Sequence, residues 1–335
     1  MTGEVWDTIK ELCNDIPHVT TLSRFFARFI RAMRDTYGET YIHFPESETE
    51  LTSVLNESAE RGYPGCLGFM DGVHVKWDMC PAQWRHKCTG QKPYPTLGWQ
   101  CTVNHHRRCI SVSTARMGSV NDVTSCKYEP SVRQLRHNPM YKDLSYQIYN
   151  SKGVLSEEKG AWLSVDGGYL EIPELLVGDP SCLEAFMNLW NHFMESERKH
   201  VECAFGILKA RFRILKLPLL MHSCQEIDNI FFTCCILHNM CLDVDGADDG
   251  WHLGYGGQDG LYDDGWFSDD ENHREYQCES LFYDMYPTVD YCDIGTMFSD
   301  LTTEEGESYR KFRNKRTKLA KHWYYMYRES ILNLS

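Results

Sequence analysis

The sequence predicts an α/β protein: a mixed β-sheet flanked by helices, with an N-terminal helical segment and an acidic C-terminal extension. Short apolar runs with the alternation or glycine stop typical of strands occur at 69–77, 97–103, 109–115 and 161–165. Stretches with helical spacing of apolar residues lie before, between and after these runs. With 335 residues, 42% hydrophobic and 13% aromatic, the chain is long enough to bury a sizeable core.

Composition narrows the class of protein. No run of 18 or more apolar residues is present, so the sequence predicts no membrane span. The N-terminus lacks the basic-then-apolar form of a secretion signal, and the 15 cysteines show no CxxC pair. These features predict a soluble intracellular protein with reduced thiols.

The charge of the chain is unevenly distributed. The net charge is −14, which at first argues against binding to nucleic acid. Residues 243–307 hold nineteen acids and one base, a charge of −18, so the rest of the chain carries +4 (−14 + 18). The objection therefore applies to one segment, which is predicted to be an acidic flexible linker.

Residues 1–60 are predicted to form the N-terminal helical segment. Apolar residues recur there at helical spacing: Leu22, Phe25, Phe26, Phe29 and Ile30. The arginines lie largely off that stripe: Arg24, Arg28, Arg31 and Arg34. They could face DNA, although a solvated face on a helix packed against the rest of the protein is the favoured interpretation.

The first strands follow. Alternation along 69–77 predicts a half-buried strand, and 97–103 should pair with 109–115 as a hairpin. Between them lies a basic, aromatic segment whose cations could follow a phosphate backbone: Arg85, Lys87 and Lys92. An ordinary exposed loop is an equally good interpretation of that segment.

The second half of the sheet region is predicted to alternate with helices. Residues 122–160 should hold a helix and a loop, and 161–165 a buried strand that stops at Asp166 and two glycines. Residues 182–216 should form one or two helices, and 226–242 a further apolar helix.

The helix around residue 202 carries the most distinctive pattern. Its apolar stripe is Val201, Phe205, Leu208, Phe212 and Leu215. One residue later the same spacing gives a face of Glu202, Gly206, Lys209 and Arg213, with Arg198 one turn before Glu202. Taken alone, Arg198 and Glu202 would be an ordinary solvated ion pair.

Two aspartates change that interpretation. Asp71 and Asp166 lie where strands are predicted to end, and glycine follows each of them. Two aspartates from strands and Glu202 from a helix would suit two Mg²⁺ or Mn²⁺ ions, because hard cations prefer carboxylate oxygens. Ions about 4 Å apart can activate a water and stabilise the leaving oxygen in phosphodiester cleavage.

The same residues resemble a known family. Asp166 to Tyr169 fits the Asp-x-Gly-Tyr/Phe signature of DDE transposases, and Arg198, Glu202 and Lys209 fit their Arg-x3-Glu-x6-Lys signature. The surrounding blocks resemble the PIF/Harbinger superfamily across residues 63–242, with the blocks in the expected order: 70–74, 77–84, 118–122 and 235–239. A Glu195 replaces the signature tyrosine three residues before the arginine.

The resemblance implies a ribonuclease-H-like catalytic domain over 63–242, with Asp71, Asp166 and Glu202 as catalytic acids and ligands of Mg²⁺ or Mn²⁺. It implies a metal-dependent endonuclease or transposase that cleaves and joins DNA phosphodiesters by in-line attack. The alternative is a catalytically silent, transposase-derived protein that binds DNA or a partner.

Further residues have accessory roles in this prediction. Asp122 could be the N-cap of a helix or a fourth acid that also binds metal, and we rank it as accessory. Arg198 and Lys209 would orient Glu202 or neutralise phosphate, and Arg213 joins the candidate DNA-binding set.

The resemblance also implies partners. These are double-stranded DNA, as transposon ends and target, a Myb-like DNA-binding protein and a possible homo-oligomer. The resemblance and the basic tail predict a nuclear protein. The tail, residues 308–335, is predicted to be a basic aromatic helix that touches DNA, serves as a nuclear-localisation sequence, or folds back on the acidic linker.

Overall fold

A computed structural model describes residues 18–245 and 292–329 of the protein. Residues 246–291, most of the predicted acidic linker, lie outside the described residues. The first six helices along the chain are α1 (Val19–Tyr41), α2 (Glu48–Glu60), α3 (Arg85–Cys88), α4 (Asp122–Lys127), α5 (Pro130–His137) and α6 (Pro139–Lys142). Those after them are α7 (Ala185–Arg211), α8 (Cys224–Asp245) and α9 (Cys292–Arg328).

One mixed sheet organises the described part of the chain. Its strands are β1 (Cys66–Lys76), β2 (Thr96–Val103), β3 (Cys109–Val112), β4 (Arg116–Met117), β7 (Trp162–Ser164) and β8 (Leu175–Leu176). They lie in the order β3-β2-β1-β7-β8, and β4 also pairs with β2. β1 is antiparallel to β2 and parallel to β7. The predicted class, a mixed sheet flanked by helices, is confirmed and is compatible with a ribonuclease-H-like fold.

The position of Asp71 in its strand differs from the prediction. β1 begins at Cys66, so Asp71 lies inside the strand and not at its end. The strand continues through Asp71 because β2 pairs with it there, placing Gly72 opposite Gln100. The predicted hairpin of β2 and β3 is confirmed, with the register Cys101 to Val112.

The region 122–160 was predicted only in part: the helix at Asp122 is present, but the rest is not a loop. It holds α4, α5 and α6, followed by a second hairpin of β5 (Ser145–Tyr149) and β6 (Leu155–Lys159). Most of β6 is exposed, and three of its five residues are charged. Because charged residues are depleted in strands and an exposed strand lacks an apolar face, the local pattern did not predict it.

Apolar side chains fill the space on both faces of the sheet. The first cluster joins the sheet to α7, α9 and the segment around α2 through Trp162, Trp190 and Trp323. The second joins it to α1 and α8, where Trp99 stacks on Phe231 with ring centroids 4.3 Å apart. The helices of the predicted N-terminal segment therefore share their core with the sheet.

The helix α8 confirms the prediction of an apolar helix at 226–242. Its segment Cys224–Val244 is long and apolar enough to cross a membrane by length and composition, but 67% of its most apolar window is buried inside the fold. It packs along α1, as the core helix of a folded domain does. His238 and Asn239 are both fully buried there and bond to the backbone of the β2–β3 hairpin, so they hold α8 to the sheet.

The arginines of α1 divide into two groups. Arg24, Arg28 and Arg31 are exposed. Arg34 instead bonds to Asp228 on α8 at 2.6 Å. The predicted apolar stripe holds for Ile30, whereas Phe25 is 68% exposed.

The basic C-terminal helix is an integral part of the fold. Phe312, Leu319 and Trp323 of α9 are fully buried. Lys315 Nζ donates to Gly160 O at 2.6 Å, and Arg316 Nη1 donates to Gly178 O at 3.2 Å. The prediction that the cations of this helix face DNA or the acidic linker is therefore wrong for these two residues, since loop carbonyls already hold them.

Candidate active site

The sheet and two helices bring four acidic side chains together. Asp71 lies in β1, Asp166 lies two residues after β7, Asp122 opens α4, and Glu202 lies in α7. A Cβ built on Gly168 would lie 3.1 Å from Asp166 Oδ1 and 3.7 Å from Asp122 Oδ2. Asp166 and Asp122 are thus neighbours, although they are 44 positions apart in the chain (166 − 122).

Arg198 connects two of these acids. Its Nη1 donates to Asp71 Oδ2 at 3.2 Å, and its Nη2 lies 3.2 Å from Glu202 Oε1. The three side chains are only 17%, 22% and 29% exposed, respectively. The interaction is therefore not the solvated helix-surface pair of the simpler interpretation, because the guanidinium also reaches from α7 to the sheet.

The acids influence one another electrostatically. Burial, with smaller contributions from the charges of Asp166 and Asp122, raises the pKa of Asp71 from its ordinary value of 3.8 to about 7. Arg198 and the Gly72 backbone N–H, which donates to Asp71 Oδ1 at 2.8 Å, oppose that rise. Clustered carboxylates that repel one another are well suited to share a divalent cation.

Two residues that the sequence did not single out hold Asp122 in place. Tyr169 Oη donates to Gln100 Oε1 at 2.5 Å, and Gln100 Nε2 donates to Asp122 Oδ1 at 3.1 Å. A Cβ on Gly72 would lie 3.3 Å from both Asp122 Oδ1 and Gln100 Nε2, so the glycine leaves room for this contact. Tyr169 belongs to the signature after Asp166, which was the only sequence signal for this network.

Asp122 is not the N-cap that one prediction made it. Asn121 caps α4, and its Oδ1 accepts from the backbone N–H of Thr124 at 2.8 Å. Asp122 is the first residue of the helix, where a negative charge is favourable, and its carboxylate turns to Gln100.

Lys209 lies further along α7. Its Nζ donates to the backbone carbonyl of His74 in β1 at 3.4 Å. Lys209 lies seven positions after Glu202, about 10 Å further along the helix.

The candidate DNA-binding residues lie on two segments of the chain. Arg85 and Lys87 lie on α3, Lys92 follows it, and Arg213 lies in a short turn after α7. Ser119 donates from both Oγ and N to Lys87 O, at 2.5 and 3.3 Å. The basic segment is thereby attached to the loop that leads into Asp122.

The donor set fits hard divalent cations. Carboxylate oxygens from Asp71, Asp122, Asp166 and Glu202 are the ligands that Mg²⁺ and Mn²⁺ prefer. The acids do not form a closed cage, since Arg198 lies between Asp71 and Glu202.

An α/β domain with acids presented by adjacent strands and a following helix defines a nuclease-like domain of the DDE class. Residues 39–249 match the family described as Plant transposon protein. Because the match spans more than half of the chain, the chain belongs to this family of transposase-derived nucleases. Membership confirms the resemblance found in the sequence, and the family implies the use of divalent metal and nucleic acid.

Individual relatives are distant. The chain is 25% identical over 235 residues to the protein ALP1-like of Arabidopsis thaliana, covering 68% of this chain and 54% of that protein. It is 23% identical to antagonist of like heterochromatin protein 1 of the same plant, over 67% of this chain and 55% of that protein. It is 24% identical to HARBI1 of Mus musculus, named as a candidate nuclease, over 67% of this chain and 59% of that protein. The chain thus spans little more than half the length of these relatives, and no solved structure matches it significantly.

Proposed function

We propose that this chain is a metal-dependent DDE-type endonuclease that cleaves DNA phosphodiesters and joins DNA ends as a transposase. The observation that carries the proposal is the surroundings of Asp71. Burial and the negative charges of Asp166 and Asp122 raise the pKa of Asp71, and Arg198 bridges Asp71 and Glu202. Asp71, Asp166 and Glu202 are the proposed catalytic acids and metal ligands, and Asp122 is an accessory ligand.

The side chains divide the work of the site. Arg198 holds the Glu202 carboxylate towards the sheet, and the Tyr169–Gln100 pair fixes Asp122. Two Mg²⁺ or Mn²⁺ ions bound by these carboxylates would supply the Lewis acidity that activates the attacking oxygen and stabilises the leaving oxygen. Because ligands must be ionised, affinity for the ions should rise as the pH passes the Asp71 pKa of about 7.

The substrate is proposed to be double-stranded DNA, at transposon ends and target. Basic residues support this: Arg85, Lys87 and Lys92 belong to the segment attached to the loop before Asp122, and Arg213 follows α7. A Myb-like DNA-binding partner, a homo-oligomeric state and a nuclear location follow from the family and are proposed with it.

A second candidate is a catalytically silent protein that binds DNA or a partner. The favouring observation is that Arg198 already pairs with both Asp71 and Glu202, a position that a bound cation would otherwise take. In that case the fold and the basic segment would be retained for binding alone.

Nicking of a supercoiled plasmid in Mg²⁺ or Mn²⁺ tests the proposal, with calorimetric titration of Mn²⁺ beside it. The variants are Asp166→Asn and Glu202→Gln, and the control is Glu195→Gln, an exposed acid two turns earlier on α7. We expect the control to nick normally and the two variants to lose at least about 100-fold in rate while remaining folded.

Wild-type nicking by Glu202→Gln would refute the assignment of that acid. A wild-type protein that binds DNA but nicks in neither metal would establish the silent alternative. Joining of labelled terminal-repeat DNA would separate a transposase from a nuclease of the same fold.

A further inference from the structure

A second group of metal-ligating side chains lies next to the acidic site. His105 lies in the turn between β2 and β3, and Glu197 and His200 lie on α7. Glu197 Oε2 is 3.5 Å from His105 Nδ1 and 3.7 Å from His200 Nε2. One ligand atom from each of the three residues lies within 4.8 Å of the others, the one such group found among the described residues.

We propose that His105, Glu197 and His200 bind a zinc-like divalent transition metal ion, separately from the acidic site. Two imidazole nitrogens and one carboxylate oxygen suit Zn²⁺, whereas Mg²⁺ prefers oxygen alone. Bonds of about 2.0 Å in a tetrahedron place ligand atoms about 3.3 Å apart, close to the separations observed here. Water would take the fourth position.

A buried nitrogen without a hydrogen-bond partner points to this site. His105 is 2% exposed, and its Nδ1 makes no hydrogen bond. Ser58 Oγ donates to Cys66 O at 2.8 Å, so it accepts from His105 Nε2–H at 3.1 Å. In the neutral imidazole the proton is then on Nε2, and the Nδ1 lone pair faces the Glu197 carboxylate. Two electron-rich atoms facing each other in a buried place repel unless a cation lies between them.

The ligands are held in position by their neighbours. The ring of Phe69 stacks on His200 and meets His105 edge-on, with centroids 5.4 and 5.0 Å away. In the turn, Asn104 Oδ1 accepts from two backbone N–H groups at 3.0 Å. Ser58 orients His105 as a hydrogen-bonded carboxylate or carbonyl commonly orients a zinc-bound histidine.

The competing arrangement is a proton in place of the metal. A second proton on His105 Nδ1 would make an imidazolium that pairs with Glu197, and Arg61, 3.8 Å from Glu197 Oε2, would add to that pairing. The two arrangements differ in whether a metal ion binds.

A bound ion would join α7 to the β2–β3 turn, one residue from Arg198. Its role would be to hold the helix that carries Arg198 and Glu202. This inference does not depend on nuclease activity, because its readouts are metal content and stability.

The test uses the full chain stripped of metal and titrated with Zn²⁺ in excess Mg²⁺, with Co²⁺ as a visible-absorption probe of tetrahedral binding. His200→Asn and Glu197→Gln remove ligands, and His192→Asn and Glu195→Gln are exposed controls on the same helix. The chain has 14 histidines and 15 cysteines, so the readout is the difference between variants.

We expect wild type and controls to hold one more zinc than the ligand variants, or to bind it at least about 100-fold more tightly. Zinc should also raise their melting temperature more. Metal-free circular dichroism checks folding, and Ser58→Ala, with an expected loss of about 10-fold in affinity, replaces any ligand variant that fails to fold.

Equal zinc content and equal melting shifts in wild type and His200→Asn would overturn the proposal and establish the protonated ion pair. Loss of the same zinc in Asp166→Asn with retention in His200→Asn would also overturn it, since the ion would then belong to the acidic site. An unchanged zinc affinity in Ser58→Ala would count against it as well.

Discussion

Asp71 is the residue at which burial and function oppose each other most directly. Its carboxylate is buried among β1, β2 and α7 and lies near the negative charges of Asp166 and Asp122, so its pKa rises to about 7. The ion pair with Arg198 does not fully offset the free-energy cost of burying an ionised carboxylate there. The folded protein is therefore less stable when Asp71 is ionised and no cation is bound at the site.

Asp71→Asn should stabilise the metal-free protein at alkaline pH. Between the ordinary Asp pKa of 3.8 and about 7, the folded state binds more protons than the unfolded state, so wild-type stability falls as the pH rises through this window. The variant should gain on the order of 2 kcal/mol at about pH 8 and almost nothing below about pH 4. Thermal unfolding over pH measures this, with the exposed Asp35→Asn as the control. A variant less stable than wild type at pH 8 would show that the Arg198 pair outweighs the burial.

Gly72 gives a second test at this scale. Gly72→Ala should push Asp122 or Gln100 by a few tenths of an ångström, because the new Cβ would lie 3.3 Å from each. We expect about a tenfold loss in nicking rate with a small loss of stability. Gly167→Ala is the matched control, since nothing lies within 4 Å of its Cβ. Equal activity of the two variants would mean that Asp122 does not need its present position.

At the scale of elements, α7 and α9 decide the architecture. α7 carries Arg198, Glu202 and Lys209 on a single helix of 27 residues. α9 packs against α7 and β5. It thereby supports the helix of the proposed site from behind, although it lies outside the residues that match the family.

Trp323→Ala should be the most damaging change in α9. Trp323 is fully buried, and its ring centroid lies 4.4 Å from that of Phe193 on α7. We expect a loss of about 3 to 5 kcal/mol in the free energy of unfolding. Tyr309→Ala, at a residue that is 44% exposed on the same helix, should cost about 1 kcal/mol or less. Urea unfolding followed by circular dichroism compares them, and similar losses would contradict the packing of α9 in the core.

At the scale of the whole molecule, charge is divided between segments. The chain outside residues 243–307 carries +4 (−14 + 18), and cations gather on the segment attached to the Asp122 loop. Attraction of DNA by this surface should therefore depend strongly on salt.

Arg85→Ala and Lys87→Ala should each weaken DNA binding and lower the slope of log affinity against log salt by about one. Lys152→Ala, an exposed residue in the β5–β6 turn, should change neither quantity. Fluorescence anisotropy with a DNA duplex at several salt concentrations gives both numbers. A reduced affinity with an unchanged slope would indicate that these side chains do not contact phosphate.

Much of the molecule could be predicted because its signals are local. Periodicity predicted α7 and α8, alternation predicted the β2–β3 hairpin, and an acid followed by two glycines predicted the end of β7. Residues in a motif keep their spacing in any fold, so Arg198 and Glu202 could be paired from the sequence alone.

The rest depended on contacts between residues far apart in the chain. No local pattern indicates that Gln100 meets Asp122, that Lys315 is buried under Gly160, or that His105 faces Glu197, because each contact requires the sheet to bring separate segments together. The β5–β6 hairpin was missed for a related reason: β6 has no apolar face, and β5 buries Ile148 and packs on α9, a contact between segments far apart in the chain. The sequence by itself determined the class of fold, the family and the candidate acids. The tertiary structure alone decided the neighbours of each acid, since burial and charge at a site are properties of what packs around it.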